Sequence, residues 1–334
     1  MVEGEPSTVG RLSSRPLACI NELAFTQGNM GSRPAATLIA LFVVFLWATS
    51  WVLIKIGLEE IPALTFAGLR YMLAFTCLLP FAVLAQRKSA SLPITRRVIG
   101  QLVGLGLLLY ALTQGTVFLA LAYLPAVTVN LLWSFSTVTV ALFGIIWLAE
   151  HPTRFQWIGV ALATFGAVIY FYPVHLPAEY LAGIAVSVVG VLSNAGASIV
   201  GRDVNRSRRV HPLVVTAVSM GVGATVLLVV GIYSQGLPSI TMRGWVIIAW
   251  LAVANTAIAF TLWNYALRTL SATESSIVNG TMLIWIPILA VVFLDERVSR
   301  KELLGLVVAG VGTLIVQLKS PPALARLRRR RTAA

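Results

Sequence analysis

Polar side chains recur at helical spacing inside long apolar runs of this 334-residue chain. Tyr110 and Gln114 lie one helical turn apart in one run, and Asn130 and Trp133 lie one turn apart in the next. Amides, hydroxyls and indoles bind both carboxylate and ammonium groups, and indoles also make cation–π contacts. The pattern therefore indicates a path for a neutral or zwitterionic solute. The candidates span six apolar runs and are Trp47, Tyr110, Gln114, Asn130, Trp133, Asn194, Asn255 and Asn279.

Hydrogen bonds between helices are the simpler explanation for any one of these residues, because such bonds stabilise membrane proteins by about 0.6 kcal/mol each. A set spread over six runs is better explained by a pathway, because buried polar groups in lipid normally face other helices or a water-filled path. Within the set, we rank Asn130, Trp133 and Asn279 first as substrate contacts.

Four charged residues in or beside the apolar runs have distinct expected roles. Arg70 lies within a run, where an arginine costs about 2.5–3.5 kcal/mol, so it either anchors the helix by reaching the near membrane surface or serves as a gate or carboxylate contact. Glu274 is a possible proton site. Glu150 and Glu296 lie at the predicted starts of the fifth and tenth helices, where a carboxylate complements the positive helix end.

The chain contains an internal repeat, because residues 120–170 align without a gap on residues 266–316, 146 positions later. Glu150 then corresponds to Glu296. Each copy also places small residues on one helix face, where they permit close approach of a second helix. These residues are Gly159, Ala163 and Gly166 in the first copy and Gly305, Ala309 and Gly312 in the second.

The composition predicts an all-α polytopic membrane protein, since 58% of the residues are hydrophobic and 11% are charged. Ten apolar runs give five predicted helices per repeat. Because five is an odd number, the second repeat must enter the membrane from the opposite side, as an inverted repeat. The predicted organisation is an N-terminal tail (1–34), a first repeat (35–172), a loop (173–179), a second repeat (180–318) and a basic C-terminal tail (319–334). Met30 is an alternative start.

The net charge of +13 is distributed as expected for a membrane protein with both termini in the cytoplasm. Most of the Lys and Arg residues fall in segments that this topology places on the cytoplasmic side, including the tail after residue 318. The charge therefore indicates orientation in the plasma (inner) membrane and not a nucleic-acid partner.

Several chemistries lack their usual residues in this sequence. Cys19 and Cys77 cannot form a disulfide framework, and the three histidines have no metal-ligand spacing. There is no phosphate-binding loop of the Walker type and no catalytic pair within the runs. We therefore expect neither a cofactor nor a metal, and no enzymatic activity.

Two segments resemble the end of the repeated domain of the EamA family, in the drug/metabolite transporter (DMT) superfamily. They are WLAEHPTRFQWIGVALATFGAVIY and FLDERVSRKELLGLVVAGVGTLIV, and FAGLRYMLAF around Arg70 resembles the second helix of that family. The resemblance implies a central cavity lined by helices 1–4 and 6–9, with helices 5 and 10 supporting it from outside. One departure is that the late proline of the fourth helix is present as Pro287 but replaced by Ala141 in the first copy, so helix 4 is expected to bend less than helix 9.

The resemblance also implies secondary transport, and we expect an exporter of amino acids or related small metabolites that works by alternating access. An uncoupled facilitator for small metabolites and an exporter of drug-like or nucleobase compounds remain as alternatives. The sequence does not identify the substrate, the coupling ion, the direction of flux or the oligomeric state.

Overall fold

The computed structural model describes residues 33–88, 95–148, 153–172, 177–206, 210–267, 269–270 and 272–317, and every regular element among them is a helix. The prediction of an all-α chain is therefore confirmed for this part of the chain. Most of the predicted N-terminal tail, including Met30, lies outside the described residues, as do Glu150, most of the loop 173–179 and the C-terminal tail.

Fourteen α-helices and two π-helical segments make up the described elements. In chain order the α-helices are α1 (Arg33–Gly57), α2 (Ala63–Lys88), α3 (Arg96–Leu105), α4 (Gly115–Tyr123), α5 (Ala126–Ser134), α6 (Ser136–Leu148), α7 (Arg154–Phe171), α8 (Ala178–Arg206), α9 (Pro212–Gln235), α10 (Met242–Ala252), α11 (Ala259–Ala266), α12 (Ala272–Gly280), α13 (Met282–Phe293) and α14 (Arg300–Gln317). The π-helical segments are π1 (Gly106–Gln114), which joins α3 to α4, and π2 (Val253–Ile258), which joins α10 to α11.

Seven helices of the described chain are long and apolar enough to cross a membrane, among them the continuous helix Arg96–Tyr123 that contains π1. Two further apolar helices, Ala126–Val140 and Ile277–Phe293, are shorter. α14 is not among these candidates, and its first turn carries Arg300, Lys301 and Glu302. The count of ten spans therefore stays a prediction.

The bundle has two ends, which we name by the course of α1. The N-terminal face is the end where α1 begins and α2 finishes, and the far face is the end where α1 finishes and α2 begins. At the far face, the backbone nitrogen of Leu64 at the start of α2 donates to Gln235 Oε1 at the end of α9, at 2.8 Å. α2 and α9 therefore run antiparallel, and glycines bring them together: a Cβ on Gly68 would lie 2.6 Å from the Leu228 backbone.

The repeat-equivalent helices α7 and α14 pair with each other in reverse order. A Cβ on Gly159 would lie 2.7 Å from the Gly312 carbonyl oxygen, and a Cβ on Gly166 would lie 2.6 Å from that of Gly305. Since Gly159 corresponds to Gly305 and Gly166 to Gly312, the same contact is made twice around a local two-fold axis. Two equivalent helices that cross antiparallel are what an inverted repeat requires.

The helix interruptions also occur at repeat-equivalent positions. α5 and α6 are separated at Phe135, and α12 and α13 at Thr281, which is 146 residues later. The expectation that Pro287 would bend helix 9 more than helix 4 is not supported by these interruptions, because both copies break six residues before that position. The two π-helical segments likewise begin at residues 106 and 253, which correspond to within one residue.

The first helix of each repeat packs into the other repeat. α1 contacts α10 to α13 of the second repeat, and α8 contacts α3 to α6 of the first. The two halves are therefore interleaved, and the main buried cluster draws residues from both, including Phe66, Phe118, Ile248 and Ile286.

Candidate functional site

Asn255 in π2 is fully buried and holds α1 against the second repeat. Its Nδ2 contacts three acceptors of α1, namely the Leu46 carbonyl oxygen, Ser50 Oγ at 2.9 Å and Thr49 Oγ1 at 3.2 Å. The Asn255 carbonyl oxygen in turn accepts a hydrogen bond from Trp47 Nε1 at 3.2 Å. Two of the predicted path residues are thus in direct contact. These hydrogen bonds join α1 to the second repeat, which agrees with the simpler explanation given above for single polar residues, namely hydrogen bonding between helices.

Arg70 is 5% exposed, so its side chain lies inside the helix bundle and not on its outer surface. Its role as an anchor or as a gate stays a prediction. Its guanidinium carbon lies 5.1 Å from the centre of the Tyr71 ring and 5.9 Å from that of Phe118. Its Nη2 donates to Thr256 Oγ1 at 3.3 Å, whereas its Nε has no hydrogen-bond partner among the described residues. Two aromatic rings therefore lie within cation–π distance of this buried cation.

Tyr110 extends this group into π1, because its ring centre lies 5.6 Å from that of Tyr71. Both π-helical segments are stabilised by a threonine that donates to the carbonyl five residues before it: Thr113 to Leu108 at 2.7 Å, and Thr256 to Leu251 at 2.9 Å. π-helical turns inside α-helices occur frequently at functional sites. We name as the central cluster the residues Trp47, Arg70, Tyr71, Tyr110, Asn255 and Thr256.

A second group lies where α5 meets α8 and α13. Asn130 is buried, and its Nδ2 donates to the Met282 carbonyl oxygen at 3.4 Å, immediately after the interruption at Thr281. Trp133 is half-buried and packs on Gly190 of α8, where a Cβ would lie 2.8 Å from the indole ring. The Trp133 Nε1 is buried and has no hydrogen-bond partner among the described residues.

Asn279 and Asn194 differ from Asn130 in exposure. Asn279, which corresponds to Trp133 in the repeat, is exposed near the end of α12. Asn194 is half-buried on α8, one turn after Gly190, and therefore lies on the helix face that meets Trp133. Gln114 is half-buried at the end of π1. Asn194 thus shares a helix face with Gly190, on which Trp133 packs, whereas Gln114 makes no side-chain hydrogen bond among the described residues.

The far face contains a pair of charged residues that sequence reasoning assigned differently. Glu296 accepts hydrogen bonds from the backbone nitrogens of Ala126 at 2.6 Å and Val127 at 3.1 Å, at the start of α5. Lys55 Nζ donates to the carbonyl oxygens of Leu121 at 2.6 Å and Leu124 at 2.8 Å, at the end of α4. Each charge complements the partial charge of the helix end that it meets. We name Lys55 and Glu296 the far-face clamp.

The clamp corrects the assignment of Glu296 to the start of the tenth helix. α14 begins at Arg300, and its start is capped by a reciprocal pair of hydrogen bonds between Ser299 and Glu302. Glu296 therefore acts on a helix of the other repeat. Lys55, in the last turn of α1, is not among the residues that the sequence singled out. A lysine in the last turn of a helix was the available signal.

A cavity of about 390 Å³ opens beside the clamp at the far face, between the start of α5 and the junction of α7 with α8. Tyr170, Tyr180, Glu296 and Glu302 line it, and Tyr170 exchanges a 2.9 Å hydrogen bond with Thr128. Glu274 does not line this cavity and is half-buried in the first turn of α12. Within the described residues no three His, Cys, Asp or Glu side chains are grouped as a metal site requires.

Comparison with known proteins places this geometry in a family. The model of the EamA-like transporter family matches residues 34–172 and again residues 181–318. The chain is similar to the uncharacterized inner membrane transporter YedA of Escherichia coli K12, with 27% identity over 295 residues, covering 84% of this chain and 89% of the relative. It is also similar to the uncharacterized transporter YvbV of Bacillus subtilis, with 26% identity over 292 residues, covering 85% and 92% respectively.

A third relative is a probable amino-acid metabolite efflux pump of Escherichia coli K12, 24% identical over 298 residues, with 83% of this chain and 93% of the relative covered. A solved crystal structure aligns with a TM-score of 0.60 at 18% identity, covering 85% of this chain and 98% of that one, which shows the likeness of fold. Two matches in tandem cover most of the chain and confirm the resemblance drawn from its motifs. The chain belongs to the EamA-like transporter family, within the DMT superfamily.

Proposed function

We propose that this protein is a secondary-active exporter of amino acids or related small metabolites. It would span the inner membrane ten times as two inverted five-helix repeats, with both termini and the N-terminal face on the cytoplasmic side. The proposed substrate class follows from one relative, a probable amino-acid metabolite efflux pump, and from the zwitterion-binding chemistry of the polar residues.

The observation that carries the proposal is the placement of polar groups at paired helix interruptions. The unpartnered indole nitrogen of Trp133 and the amide of Asn130 lie beside the breaks at Phe135 and Thr281. Interrupted helices from both repeats that meet with polar groups are typical of transporter binding sites near the bilayer middle. Alternating access would then move the two repeats relative to each other around these residues.

Counterflow in proteoliposomes tests the function directly. Vesicles preloaded with unlabelled amino acids, nucleobases or cationic drugs are exposed to the labelled counterpart of each class. We expect amino acids to accelerate uptake, Trp133→Ala to reduce that uptake, and Thr164→Ala, an exposed change on α7, to leave it unchanged. Absence of counterflow with every class, from protein shown to be folded, contradicts the proposal.

A second candidate is an uncoupled facilitator for small metabolites. It is favoured by the small number of carboxylates that are placed to carry a proton. Among the described side chains, Glu274 is the one carboxylate within a helix that is not at the far face. Collapse of the proton gradient with a protonophore separates the candidates. A proton-coupled exporter loses net accumulation, whereas downhill flux through a facilitator is unaffected.

A further inference from the structure

The two tightly packed helices α2 and α9 separate toward the N-terminal face. Near the far face Gly231 allows close contact, since a Cβ there would lie 2.5 Å from the Thr65 nitrogen. Toward the other end the helices leave a cavity of about 280 Å³ between them. We name this space the α2–α9 groove, and its apolar wall includes Phe75, Leu79, Val83, Val214, Ala217 and Val218.

A proline lies where the two helices separate. Pro80 lies inside α2, between the groove residues Leu79 and Val83. Proline within a helix removes one backbone hydrogen bond and bends the helix. Leu79, Val83 and Val218 are each about two-fifths exposed, so the groove opens outward from the bundle. In a membrane, the surroundings of such a surface are lipid chains.

Positive charge is concentrated where the groove reaches the N-terminal face. Arg87 lines that end of the groove and is exposed. Arg96 and Arg97 are exposed in the first turn of α3, next to Val98, which belongs to the same buried cluster as the groove residue Val214. Among the described residues these three arginines make no ion pair, and the side chains lining the groove include no carboxylate.

We propose that the α2–α9 groove binds one acyl chain of an anionic phospholipid, whose phosphate pairs with Arg87. Basic pockets between membrane helices on the cytoplasmic side bind anionic headgroups, and an apolar groove that ends in an arginine matches both parts of such a lipid. Arg96 and Arg97 add to the attraction from the adjacent helix. A protein helix packed on the same face would leave Arg87 without a partner, which favours the lipid as occupant.

Native mass spectrometry of the purified full-length protein tests the site without any measurement of transport. The protein is exposed to equal amounts of phosphatidylglycerol and phosphatidylethanolamine that carry the same acyl chains. We expect phosphatidylglycerol to be retained at least about fivefold more, and Arg87→Gln to lower this preference about fivefold, because each basic residue near an anionic headgroup contributes about that factor. The control Arg243→Gln removes an exposed arginine at the far face and should leave the preference intact.

A second pair of variants tests the groove itself. Ala217→Phe fills the groove and should reduce retention of both lipids, whereas Val229→Phe, at an exposed position of α9 outside the groove, should have no effect. If Ala217→Phe does not yield folded protein, Val218→Trp fills the same space from a more exposed position. Equal retention of the two lipids by the wild type, or unchanged retention in a folded groove-filling variant, overturns the proposal.

Discussion

The contact between Arg70 and Thr256 places the one charged group of the central cluster in the interior of the bundle. A cation in the hydrocarbon region is costly, and here one 3.3 Å hydrogen bond and two aromatic rings compensate for it. The Thr256 hydroxyl has two functions, since it accepts from Arg70 and donates to the Leu251 carbonyl oxygen within π2. The stability of π2 and the burial of the arginine therefore depend on the same oxygen atom.

Replacing Thr256 by valine is expected to lower the free energy of unfolding by about 1–3 kcal/mol, because the guanidinium loses its hydrogen bond while it stays buried. Thr261→Val is the matched control, because Thr261 is exposed on α11 and bonds to the carbonyl four residues before it. Unfolding in mixed micelles followed by circular dichroism measures both. Equal effects of the two variants would show that Arg70 does not depend on Thr256.

Glu296→Gln is expected to destabilise the far face by a similar amount, about 1–3 kcal/mol, because a neutral amide cannot accept from both Ala126 and Val127 as the carboxylate does. Glu59→Gln serves as control, since that side chain is 69% exposed and lies 4.0 Å from Arg243 at the surface. The readout is the melting temperature in detergent. A melting temperature that falls no further for Glu296→Gln than for the control contradicts the clamp.

Residue types and spacing predicted part of the candidate site. They identified Trp47, Asn255, Tyr110 and Asn130 as polar residues inside the bundle, and each of them contacts another helix in the structure. They did not predict which helix Glu296 would meet. A carboxylate in a loop can reach any nearby helix end, and the choice depends on tertiary packing that no local pattern encodes.

At the scale of elements, the α7–α14 pair shows how closely sequence and packing correspond. The small residues at 159, 163 and 166 predicted a face for close helix approach. In the structure that face packs against the equivalent small-residue face of α14. The partner helix was not predictable, because small residues serve internal and intermolecular contacts equally well. The glycines establish only that some helix comes close.

Gly166→Ala tests this contact, and Gly104→Ala is its control. A Cβ at residue 166 would lie 2.6 Å from the Gly305 carbonyl oxygen, so the helices must separate, whereas a Cβ at residue 104 would have no neighbour within 4 Å. We expect the first change to lower the unfolding free energy by about 1–3 kcal/mol and the second to raise it by about 0.5–1 kcal/mol. Thermal unfolding compares them, and a neutral Gly166→Ala would contradict the close approach.

The interruption at Phe135 was beyond the reach of sequence patterns. Phe135 lies between Ser134 and Ser136 with neither proline nor glycine beside it, so no helix-breaking residue marks the break between α5 and α6, whereas Gly280 directly precedes the equivalent break at Thr281. The π-helical segments are equally hidden, because hydrophobic periodicity over one or two turns does not separate a π-turn from an α-turn. The breaks occur at corresponding positions of the two repeats, which shows that they are a property of the repeated fold.

At the scale of the whole molecule, equivalent parts of the two repeats are packed differently. Residues 126–131, at the far face, are all buried. In the second repeat, Ile277 in the corresponding segment of α12 is exposed, and Asn279 just beyond that segment is exposed as well. Under the proposed alternating-access cycle, in which inverted repeats exchange their packing, this difference predicts a conformation in which residue 279 is accessible from the N-terminal face and residues 126–131 are closed.

Cysteine labelling tests this conformation and the proposed orientation together. In a variant without Cys19 and Cys77, a cysteine replacing Asn279 should react with a membrane-impermeant maleimide in inside-out vesicles and be protected in right-side-out vesicles. A cysteine replacing Val129, which is fully buried, should be protected in both. Reaction of the residue 279 cysteine only from the outer side would contradict both the conformation and the orientation.

The interleaving of α1 and α8 has a consequence for the order of synthesis. Translation adds about 5–20 residues per second, so α1 leaves the ribosome on the order of ten seconds or more before α10 to α13, its eventual neighbours, exist. During that interval the Trp47 indole and the Ser50 hydroxyl have no partner from Asn255. The first half must therefore stay in the membrane without its contacts to α10 to α13 until these helices have been made. Its first helix reaches its final place only when nearly the whole protein has been made.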